Sequence, residues 1–322
     1  MIRKTGLRII NKTTKVPNCS SVYGAKNKSS NDIAKAEKAE RLKSQKTEQK
    51  IMNNLPKFYV STYPDTYWLI PVYIHQFNKY IPNAECTIMC YEYPDFKIHL
   101  TDNVKIISIT DGKTDPGISN WASSIRKYFE TIKDKYIILS LDDYIILDHL
   151  DAKTFSADMD FVINNDIKRY ALGGKSKKYY EFEEWNGFLR FTKNSPYRIS
   201  AQVSVWNREY LMRYLRDDWT PWDFEIKGAT ESRKDDAILV YKMNPVLLYQ
   251  EQGFVSRRYK ADLNVEGIKK EDLQYHIECG NFDGKTLQWG MGKPKKKKKR
   301  KKRSRKAHKI RKTKRKVRKK RG

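Results

Sequence analysis

Two adjacent carboxylates at the end of an apolar run constrain the fold of this chain more than any other feature. The run extends from Tyr136 to Leu141, and Asp142 and Asp143 follow it directly. A continuous apolar run is typical of a strand that is buried on both faces in the middle of a sheet. In an open α/β sheet, ligands bind beyond the carboxyl ends of the central strands. The sequence therefore predicts that both carboxylates lie at a ligand site.

The same pair predicts a metal ion. Two like charges side by side are costly in a partly buried site unless a cation neutralises them, and hard divalent ions prefer carboxylate oxygens. Asp142 and Asp143 are therefore candidate metal ligands. The alternative interpretation is a polar turn that closes a core strand, in which Asp142 bonds its own backbone.

The order of the remaining predicted elements indicates an α/β fold. Segments with strand character alternate with segments whose apolar residues recur every three or four positions, as on the buried face of a helix. Such alternation implies a mostly parallel central sheet with helices on both faces. The predicted strands are residues 57–62, 86–91, 104–109, 136–142, 169–172, 200–206 and 246–249. The predicted helices follow residue 65, cover residues 118–132 and 155–165, and extend from an Asn207 cap to about Arg216, while residues 175–185 are predicted as a loop.

The two ends of the chain differ from the middle in charge and in apolar content. Residues 293–322 contain 22 Lys or Arg and no Asp or Glu, so most of the net charge of +28 lies there. A segment with little to bury and strong self-repulsion is predicted to be disordered, and residues 1–54 are predicted to be disordered or loosely helical. We therefore predict one folded domain, residues 55–292, between a basic leader or linker and a disordered polybasic tail.

The tail predicts binding to polyanions. Clustered Lys and Arg bind nucleic acid by releasing its counterions, without reading the bases, and the same pattern is typical of nuclear localisation segments. One alternative for the whole protein is thus a nucleic-acid-binding or nucleic-acid-processing protein, in which Asp142 and Asp143 hold Mg²⁺ for phosphoryl transfer. The sequence contains no motif that reads a groove of the duplex.

The sequence predicts a soluble protein in a reducing compartment such as the cytoplasm. Residues 1–20 lack the apolar segment of a secretory signal, and no run of ~18 apolar residues is long enough to span a bilayer. The four cysteines form no Cys-x-x-Cys pair, so buried free thiols are favoured over a zinc site or a disulfide. They are Cys19, Cys86, Cys90 and Cys279.

Two further segments contain candidate functional groups. Trp219–Glu225 is predicted as a turn that places acids among aromatic side chains, where desolvation raises the pKa of a carboxylate and suits it to act as a general base. Arg257, Arg258 and Lys260 could together hold a phosphate, or they could form a solvated turn. The tryptophans that could stack on a ligand, or instead lie in the core, are Trp121, Trp206 and Trp222.

Four segments together carry a family resemblance: Ser119–Arg126, Leu141–Tyr144, Val205–Leu211 and Thr220–Glu225. They resemble the nucleotide-sugar glycosyltransferases with the Rossmann-like GT-A fold, specifically the polysaccharide-type transferases of bacteria and large viruses. The resemblance covers roughly residues 57–260. In this family an Asp-x-Asp motif follows a central strand, and the acid pair is its counterpart, although Leu141 replaces the first acid.

The resemblance implies a metal-dependent enzyme that transfers a sugar from a UDP- or GDP-sugar donor to a hydroxyl of a glycan, lipid or protein. Asp143 would bind the Mn²⁺ or Mg²⁺ that bridges the donor diphosphate, and Asp142 would be a second ligand or contact the ribose, the sugar or a bound water. Glu225 would deprotonate the acceptor hydroxyl, with Asp223 as the fallback. The other residues implied to border the donor are Ser61, Thr62, Asp111, Trp121, Arg126, Arg257 and Arg258.

Some assignments stay open at this point. Lys127 also qualifies as the cationic residue of the helix that contains Arg126, and His276 is either a late metal ligand or a surface or core histidine. The same sequence could encode a sugar-binding module without activity. By the same resemblance, the basic tail could also retain the protein in a virus particle.

Overall fold

The computed structural model describes residues 35, 38–43, 55–110, 117–173, 181–250, 255–256, 262–263 and 267–281. The chain divides into two compact units, residues 1–46 and 47–322. The described residues of the first unit are helical and exposed. The predicted domain boundaries at residues 54 and 292 lie outside the described residues and stay predictions.

A mixed sheet of nine described strands forms the centre of the second unit. In chain order the strands are β1 (Phe58–Ser61), β2 (Cys86–Cys90), β3 (Val104–Ser108), β4 (Tyr136–Leu141), β5 (Arg169–Ala171), β6 (Phe182–Trp185), β7 (Phe188–Phe191), β8 (Ser204–Asn207) and β9 (Leu239–Tyr241). Their order across the sheet is β3-β2-β1-β4-β8-β5-β9-β7-β6. Two short strands, β10 (Val255–Ser256) and β11 (Asp262–Leu263), form a separate antiparallel pair.

The two halves of the sheet differ in strand direction. β3, β2, β1 and β4 are parallel to one another, whereas β8 is antiparallel to both β4 and β5. β9 is parallel to β5, and β7 is antiparallel to both β9 and β6. A parallel connection needs a long crossover, usually a helix, and no helix is described between β5 and β8. The prediction of a mostly parallel sheet therefore holds for the first half only, and the sheet as a whole is mixed.

Helices cover both faces of the sheet. The α-helices described in the second unit are α1 (Ile70–Tyr80), α2 (Trp121–Thr131), α3 (Ala152–Asn164), α4 (Arg208–Met212), α5 (Pro221–Glu231) and α6 (Lys270–Glu278). The predicted cap of α4 is confirmed, because Oδ1 of Asn207 accepts a hydrogen bond of 3.0 Å from the backbone N–H of Tyr210. The helix ends at Met212, before the predicted Arg216. No helix among the described residues is long and apolar enough to cross a membrane.

The central position of β4 is confirmed by how its side chains divide between two apolar clusters. Ile138 packs in the cluster that includes residues of α1 and α3, whereas Ile137 and Leu139 pack in the cluster that includes residues of α2, α4 and α5. All three side chains are fully buried. The continuous apolar run thus forms a strand that is covered on both faces, as expected.

A β-hairpin occupies part of the region that was predicted as a loop. β6 and β7 pair as antiparallel strands, joined by Asn186 and Gly187. Both joining residues have positive φ, 47° and 78°, and Asn-Gly is the pair that such a tight turn favours. The prediction of a loop is therefore wrong for residues 182–185, whereas residues 175–180 lie outside the described residues. The Asn-Gly signal was present in the sequence.

The last predicted strand is reduced to a single contact. Instead of a strand over residues 246–249, the structure has one antiparallel bridge between Tyr249 and Ile146. Backbone bonds flank this bridge: the N–H of Leu147 donates to the carbonyl of Leu248 at 2.9 Å, and the N–H of Gln250 donates to the carbonyl of Ile145 at 2.8 Å. The segment after the acid pair is thus fixed to the segment near residue 249.

Candidate functional site

The acid pair lies at the point where the order in which strands are added to the sheet reverses. After β1 the chain adds β2 and β3 on one side, and then returns to add β4 on the other side of β1. Ser61 pairs with Leu141 at the carboxyl ends of these two strands, and the N–H of Asp142 donates to the carbonyl of Ser61 at 3.1 Å. A crevice beyond such a topological switch point is where open α/β sheets bind ligands.

Asp142 is buried with an incomplete set of partners. Its side chain is buried, and its Oδ2 has no hydrogen-bond partner among the described residues. Burial, and then the neighbouring charge of Asp143, raise the pKa of Asp142 well above its ordinary value. A buried carboxylate oxygen without a donor is costly unless a proton or a cation completes it.

The predicted polar turn is also present. The N–H of Tyr144 donates to the carbonyl of Leu141 at 3.2 Å, which closes a turn around Asp142 and Asp143. Asp143 is half-buried in this turn. Among the described residues, no group of three or more His, Cys, Asp or Glu side chains could hold a metal ion. The pair alone therefore offers two carboxylate ligands, and a bound ligand would have to supply the others.

Ser61 and Trp121 lie together beside this turn. The indole N–H of Trp121 donates to Oγ of Ser61 at 2.9 Å, and both side chains are buried. The hydroxyl of Thr62 instead donates to the carbonyl of Met89 at 3.0 Å on the next strand. Trp121 and Thr62 thus have structural roles in this arrangement, and their predicted contacts with a donor stay predictions.

The predicted cationic residue of α2 is bound by other groups. The guanidinium of Arg126 donates to the carbonyl of Leu215 at 3.0 Å and to the carboxylate of Asp217 at 2.7 Å. It also approaches Glu130 at 3.7 Å, one turn further along the helix. These contacts fix α2 to the segment after α4. Of the remaining predicted phosphate or donor residues, Asp111, Arg257, Arg258 and Lys260 lie outside the described residues.

The segment that was predicted as an aromatic turn is the first turn of α5. Thr220 is its N-cap: Oγ1 accepts from the N–H of Asp223 at 3.1 Å, and a carboxylate oxygen of Asp223 accepts from the N–H of Thr220 at 3.2 Å. Pro221 occupies the first helical position, where its fixed φ favours a helix. The turn prediction is therefore wrong, because Thr-Pro followed by an acid at the third position is a helix start.

Asp223 has the opposite electrostatics from those predicted for a base. The ammonium of Lys227, 2.9 Å away, and the Thr220 hydroxyl lower the pKa of Asp223 below its ordinary value. A carboxylate whose charged form is stabilised by these contacts is a poor general base. The structure thus corrects the expectation of a raised pKa and gives Asp223 a capping role.

Glu225 is held by one loop that precedes β8. Its Oε1 accepts a hydrogen bond of 2.6 Å from the hydroxyl of Ser200 and one of 2.9 Å from the N–H of Ala201. No described residue donates a hydrogen bond to its other carboxylate oxygen. The neighbouring Phe224 is fully buried and its ring packs edge-on against Trp121 at 5.6 Å. The start of α5, which contains Glu225, therefore packs through Phe224 against Trp121, the residue that bonds Ser61.

The three tryptophans that were candidate platforms have different environments. Trp206 is fully buried and packs edge-on against Phe224 at 6.1 Å, and Trp121 is buried as described, so both belong to the core. Trp222 is 46% exposed on the first turn of α5, one turn before Glu225 in the sequence. Of the three, only Trp222 has a ring that a ligand could reach.

A hydrogen-bond network that the sequence did not predict connects the loop before β8 to the acid pair. The side-chain amide of Gln202 donates to the hydroxyl of Tyr144 at 3.0 Å, and its oxygen accepts from the hydroxyl of Tyr249 at 2.7 Å. The sequence predicts a strand over residues 200–206, but β8 begins only at Ser204, so Gln202 lies in the loop before it. The sequence offers no signal for this network, because the partners are 58 and 47 residues away from Gln202.

His276 lies in a buried contact between α6 and α1. Burial, and then the neighbouring ring of His75, lower its pKa to about 4. On the same helix, Asp272 accepts a hydrogen bond of 2.7 Å from the hydroxyl of Tyr80 and contacts the ammonium of Lys79 at 2.5 Å. The structure therefore supports the core interpretation of His276.

The cysteine prediction is confirmed for the two cysteines of β2. Cys86 and Cys90 are free and buried, and burial raises the pKa of Cys90 to about 11. Cys279 is free and exposed. Cys19 lies outside the described residues.

Comparisons with known proteins find distant structural likenesses. No model of a known protein family matches the chain, and no curated protein matches it. Two structures of UDP-glucose pyrophosphorylase, one complexed with UDP-glucose and one without it, are similar over 70% of this chain and 100% of theirs, at 8% identity and TM-scores of 0.38 and 0.35. An active-site mutant of LgtC is similar over 55% of this chain and 65% of its own, at 16% identity and a TM-score of 0.30. Scores this low carry no argument about function.

Proposed function

We propose that this protein is a metal-dependent glycosyltransferase that moves a sugar from a nucleoside-diphosphate donor to a hydroxyl acceptor. The observation that carries the proposal is the acid pair at the switch point between β1 and β4. Asp142 there has a buried carboxylate oxygen without a hydrogen-bond partner among the described residues, and Asp143 lies beside it. This position and these carboxylates fit a diphosphate ligand that binds together with a cation.

The residues present fit a divalent cation. The pKa of Asp142 is raised because its charged form is buried beside the charge of Asp143. A divalent cation bound to the two carboxylates would stabilise their charged forms. Asp142 and Asp143 would hold Mn²⁺ or Mg²⁺, and oxygens of a diphosphate or water would complete the ligand set, since no third protein ligand is described. When bound, such an ion supplies positive charge to a departing diphosphate.

Glu225 is the candidate base on the acceptor side. Its Oε1 is fixed by Ser200 and Ala201, which leaves the other carboxylate oxygen to accept a proton from an acceptor hydroxyl. The exposed ring of Trp222 lies in the same turn region of α5. We propose that the acceptor binds at this end of α5, whereas the nucleotide binds at the ends of β1 and β4.

A screen of nucleotides and nucleotide sugars by thermal unfolding, with and without Mn²⁺, tests the proposal. A ligand that binds only the folded protein stabilises it by about 2.7 kcal/mol at one hundred times its dissociation constant. We expect a UDP- or GDP-sugar to raise the unfolding temperature only when Mn²⁺ or Mg²⁺ is present. A shift of the same size in EDTA would exclude the metal, and no shift with any nucleotide would exclude the donor class.

Turnover of the donor separates an enzyme from a sugar-binding module without activity. The donor that stabilises the protein is incubated with Mn²⁺ and with candidate glycans, and release of the free nucleoside diphosphate is measured. We expect release that increases when an acceptor is added. Stable binding without release would support the inactive module.

We also propose that residues 293–322 bind polyanions and are not required for transfer. Their 22 positive charges would neutralise phosphates without reading bases, so affinity should fall steeply between about 50 and 200 mM salt. Deleting them should remove binding to a DNA or RNA of any sequence and leave donor binding unchanged. A preferred base sequence, or loss of turnover on deletion, would show that the tail belongs to the active machinery.

A further inference from the structure

We propose that Gln202 is a positioning residue, whose side-chain amide fixes the turn that carries Asp143 to the loop that holds Glu225. This inference rests on the proposed function, because it assigns the two carboxylates to the donor and to the acceptor. It goes further in naming the group that sets their relative position.

The donor side of this connection is a direct contact. Nε2 of Gln202 donates to the hydroxyl of Tyr144 at 3.0 Å. Tyr144 follows Asp143 in the chain, and its own N–H closes the turn by donating to the carbonyl of Leu141. A displacement of the Tyr144 side chain would therefore move the turn in which both acids lie.

The orientation of the Gln202 amide is fixed from its other end. The hydroxyl of Tyr249 donates to Oε1 of Gln202 at 2.7 Å, so the amide NH₂ group is directed at Tyr144. The ring of Tyr249 lies directly against Gly173, where a Cβ atom would be only 2.2 Å from Cε1 of the ring. A residue without a side chain is thus needed at position 173 for Tyr249 to reach Gln202.

The acceptor side of the connection is the backbone of the same loop. The N–H of Gln202 donates to Oγ of Ser200 at 3.2 Å, and that hydroxyl donates to Glu225 at 2.6 Å. The intervening Ala201 donates its N–H to the same carboxylate oxygen. Ser200 and Ala201 therefore hold the candidate base, and the next residue, Gln202, bonds Ser200 through its N–H and the turn of the acid pair through its side chain.

A buried arginine makes this loop a rigid support. Arg169, on β5, donates to the carbonyls of Tyr197 and Arg198 at 3.2 and 2.9 Å and to the hydroxyl of Ser204 at 3.1 Å. The Ser204 hydroxyl in turn donates to the backbone carbonyl of Gln202 at 2.7 Å. Because the loop is fixed at both ends, loss of the Gln202 amide should release the turn at Tyr144 and leave Glu225 in place.

The test compares Gln202→Leu with the parent protein in two reactions of the same donor: transfer to an acceptor, and hydrolysis by water. Transfer needs the donor and Glu225 in a fixed relative position, whereas hydrolysis depends chiefly on the acid pair. We expect the ratio of transfer to hydrolysis to fall about tenfold, whatever change in donor affinity accompanies the release of the turn. A fall of both rates by the same factor would show a merely structural role and overturn the proposal.

Two further variants keep this test decisive. Tyr144→Phe removes the acceptor of the amide without changing Gln202, and it should lower the same ratio. Combining it with Gln202→Leu should add little, since each change alone already removes the contact between the Gln202 amide and the Tyr144 hydroxyl. Gln274→Leu removes an exposed amide on α6 and is the matched control, which should behave as the parent. Additive effects of the first two changes would contradict the inference.

Hydrogen exchange decides the inference even if no nucleotide sugar proves to be a substrate. In Gln202→Leu we expect at least tenfold faster exchange of the Tyr144 N–H, which closes the turn, and unchanged exchange of the Ala201 N–H, which binds Glu225. Parent-like exchange at Tyr144 would overturn the positioning role. Absence of donor binding in the parent would overturn the proposed function alone.

Discussion

Asp142 follows β4, and Glu225 is bound by the loop before β8. The two carboxylates have different surroundings. Asp142 is buried beside a second carboxylate, its pKa is raised, and its Oδ2 has no donor among the described residues. Glu225 accepts two hydrogen bonds from the loop before β8. The carboxylate of Asp142 needs a bound ligand to balance its charge. The protein itself fixes the position of the Glu225 carboxylate in advance.

This difference suggests which site should respond to metal and which should not. Removal of a carboxylate from the acid pair should abolish binding of the ion and of the nucleotide together. Removal of a preorganised base should leave binding intact and change only the transfer step. The predictions that follow test this contrast, from the largest expected effect to the smallest.

Asp143→Asn should lower metal-dependent transfer by about 10²–10³-fold, because the departing diphosphate loses the charge that the ion supplies. The fold should be retained, since the substitution removes a charge that raises the pKa of the buried Asp142. The measurement is the transfer rate together with thermal unfolding in the presence of Mn²⁺. Asp160→Asn, an exposed acid on α3, is the matched control. A fully active Asp143→Asn protein would remove the metal from the proposal.

Glu225→Gln should lower transfer by about 10²-fold and leave donor affinity unchanged. The amide oxygen can still accept the hydrogen bonds of Ser200 and Ala201, so the local geometry should be conserved. Single-turnover transfer and donor-induced thermal stabilisation separate the two effects. Parent-like transfer would show that Glu225 is not the base, and loss of donor binding would place it on the donor side instead.

The first half of the fold was predictable because its information is local. The run Tyr136–Leu141 is apolar except for Ser140, and such a run favours a strand covered on both faces, so the position of Asp142 followed from the strand's end. In the second half, β8 runs antiparallel to its neighbours because no described helix returns the chain after β5. Strand direction there depends on the whole topology, which the local pattern does not contain.

The candidate site shows the same division. Thr220 and Asp223 form a capping box that could have been recognised from their spacing, although the aromatic neighbours favoured a different interpretation. Gln202 could not have been recognised, because its importance comes from Tyr144 and Tyr249, which only the folded chain brings to its amide. Contacts between segments distant in sequence are decided by packing.

Asp142→Asn should stabilise the metal-free protein at neutral pH. The folded-state pKa of Asp142 is raised, so the folded protein loses stability as pH rises from the ordinary aspartate value of 3.8 through the raised value. Thermal unfolding between pH 4 and 8 in EDTA should show this loss in the parent and not in the variant. Identical pH profiles would contradict the raised pKa.

The smallest effect is expected at Asp223, which the structure assigns to the helix cap. Asp223→Ala removes the acceptor of the Thr220 N–H and the ion pair with Lys227, so we expect a loss of about 0.5–2 kcal/mol of unfolding free energy. The folded-state pKa of Asp223 is lowered, so this contribution should be present above the ordinary aspartate value and lost as pH falls through the lowered one.

Denaturant unfolding at pH 7 and pH 3 measures this loss, and transfer per folded molecule at pH 7 should match the parent. Asp223→Asn keeps an oxygen that can accept from Thr220, so it should lose less stability than Asp223→Ala. The opposite result, parent-like stability with transfer abolished in both variants, would make Asp223 the base. It would also break the contrast with Glu225, because the acceptor-side acid would then be the one whose charge the helix start already stabilises.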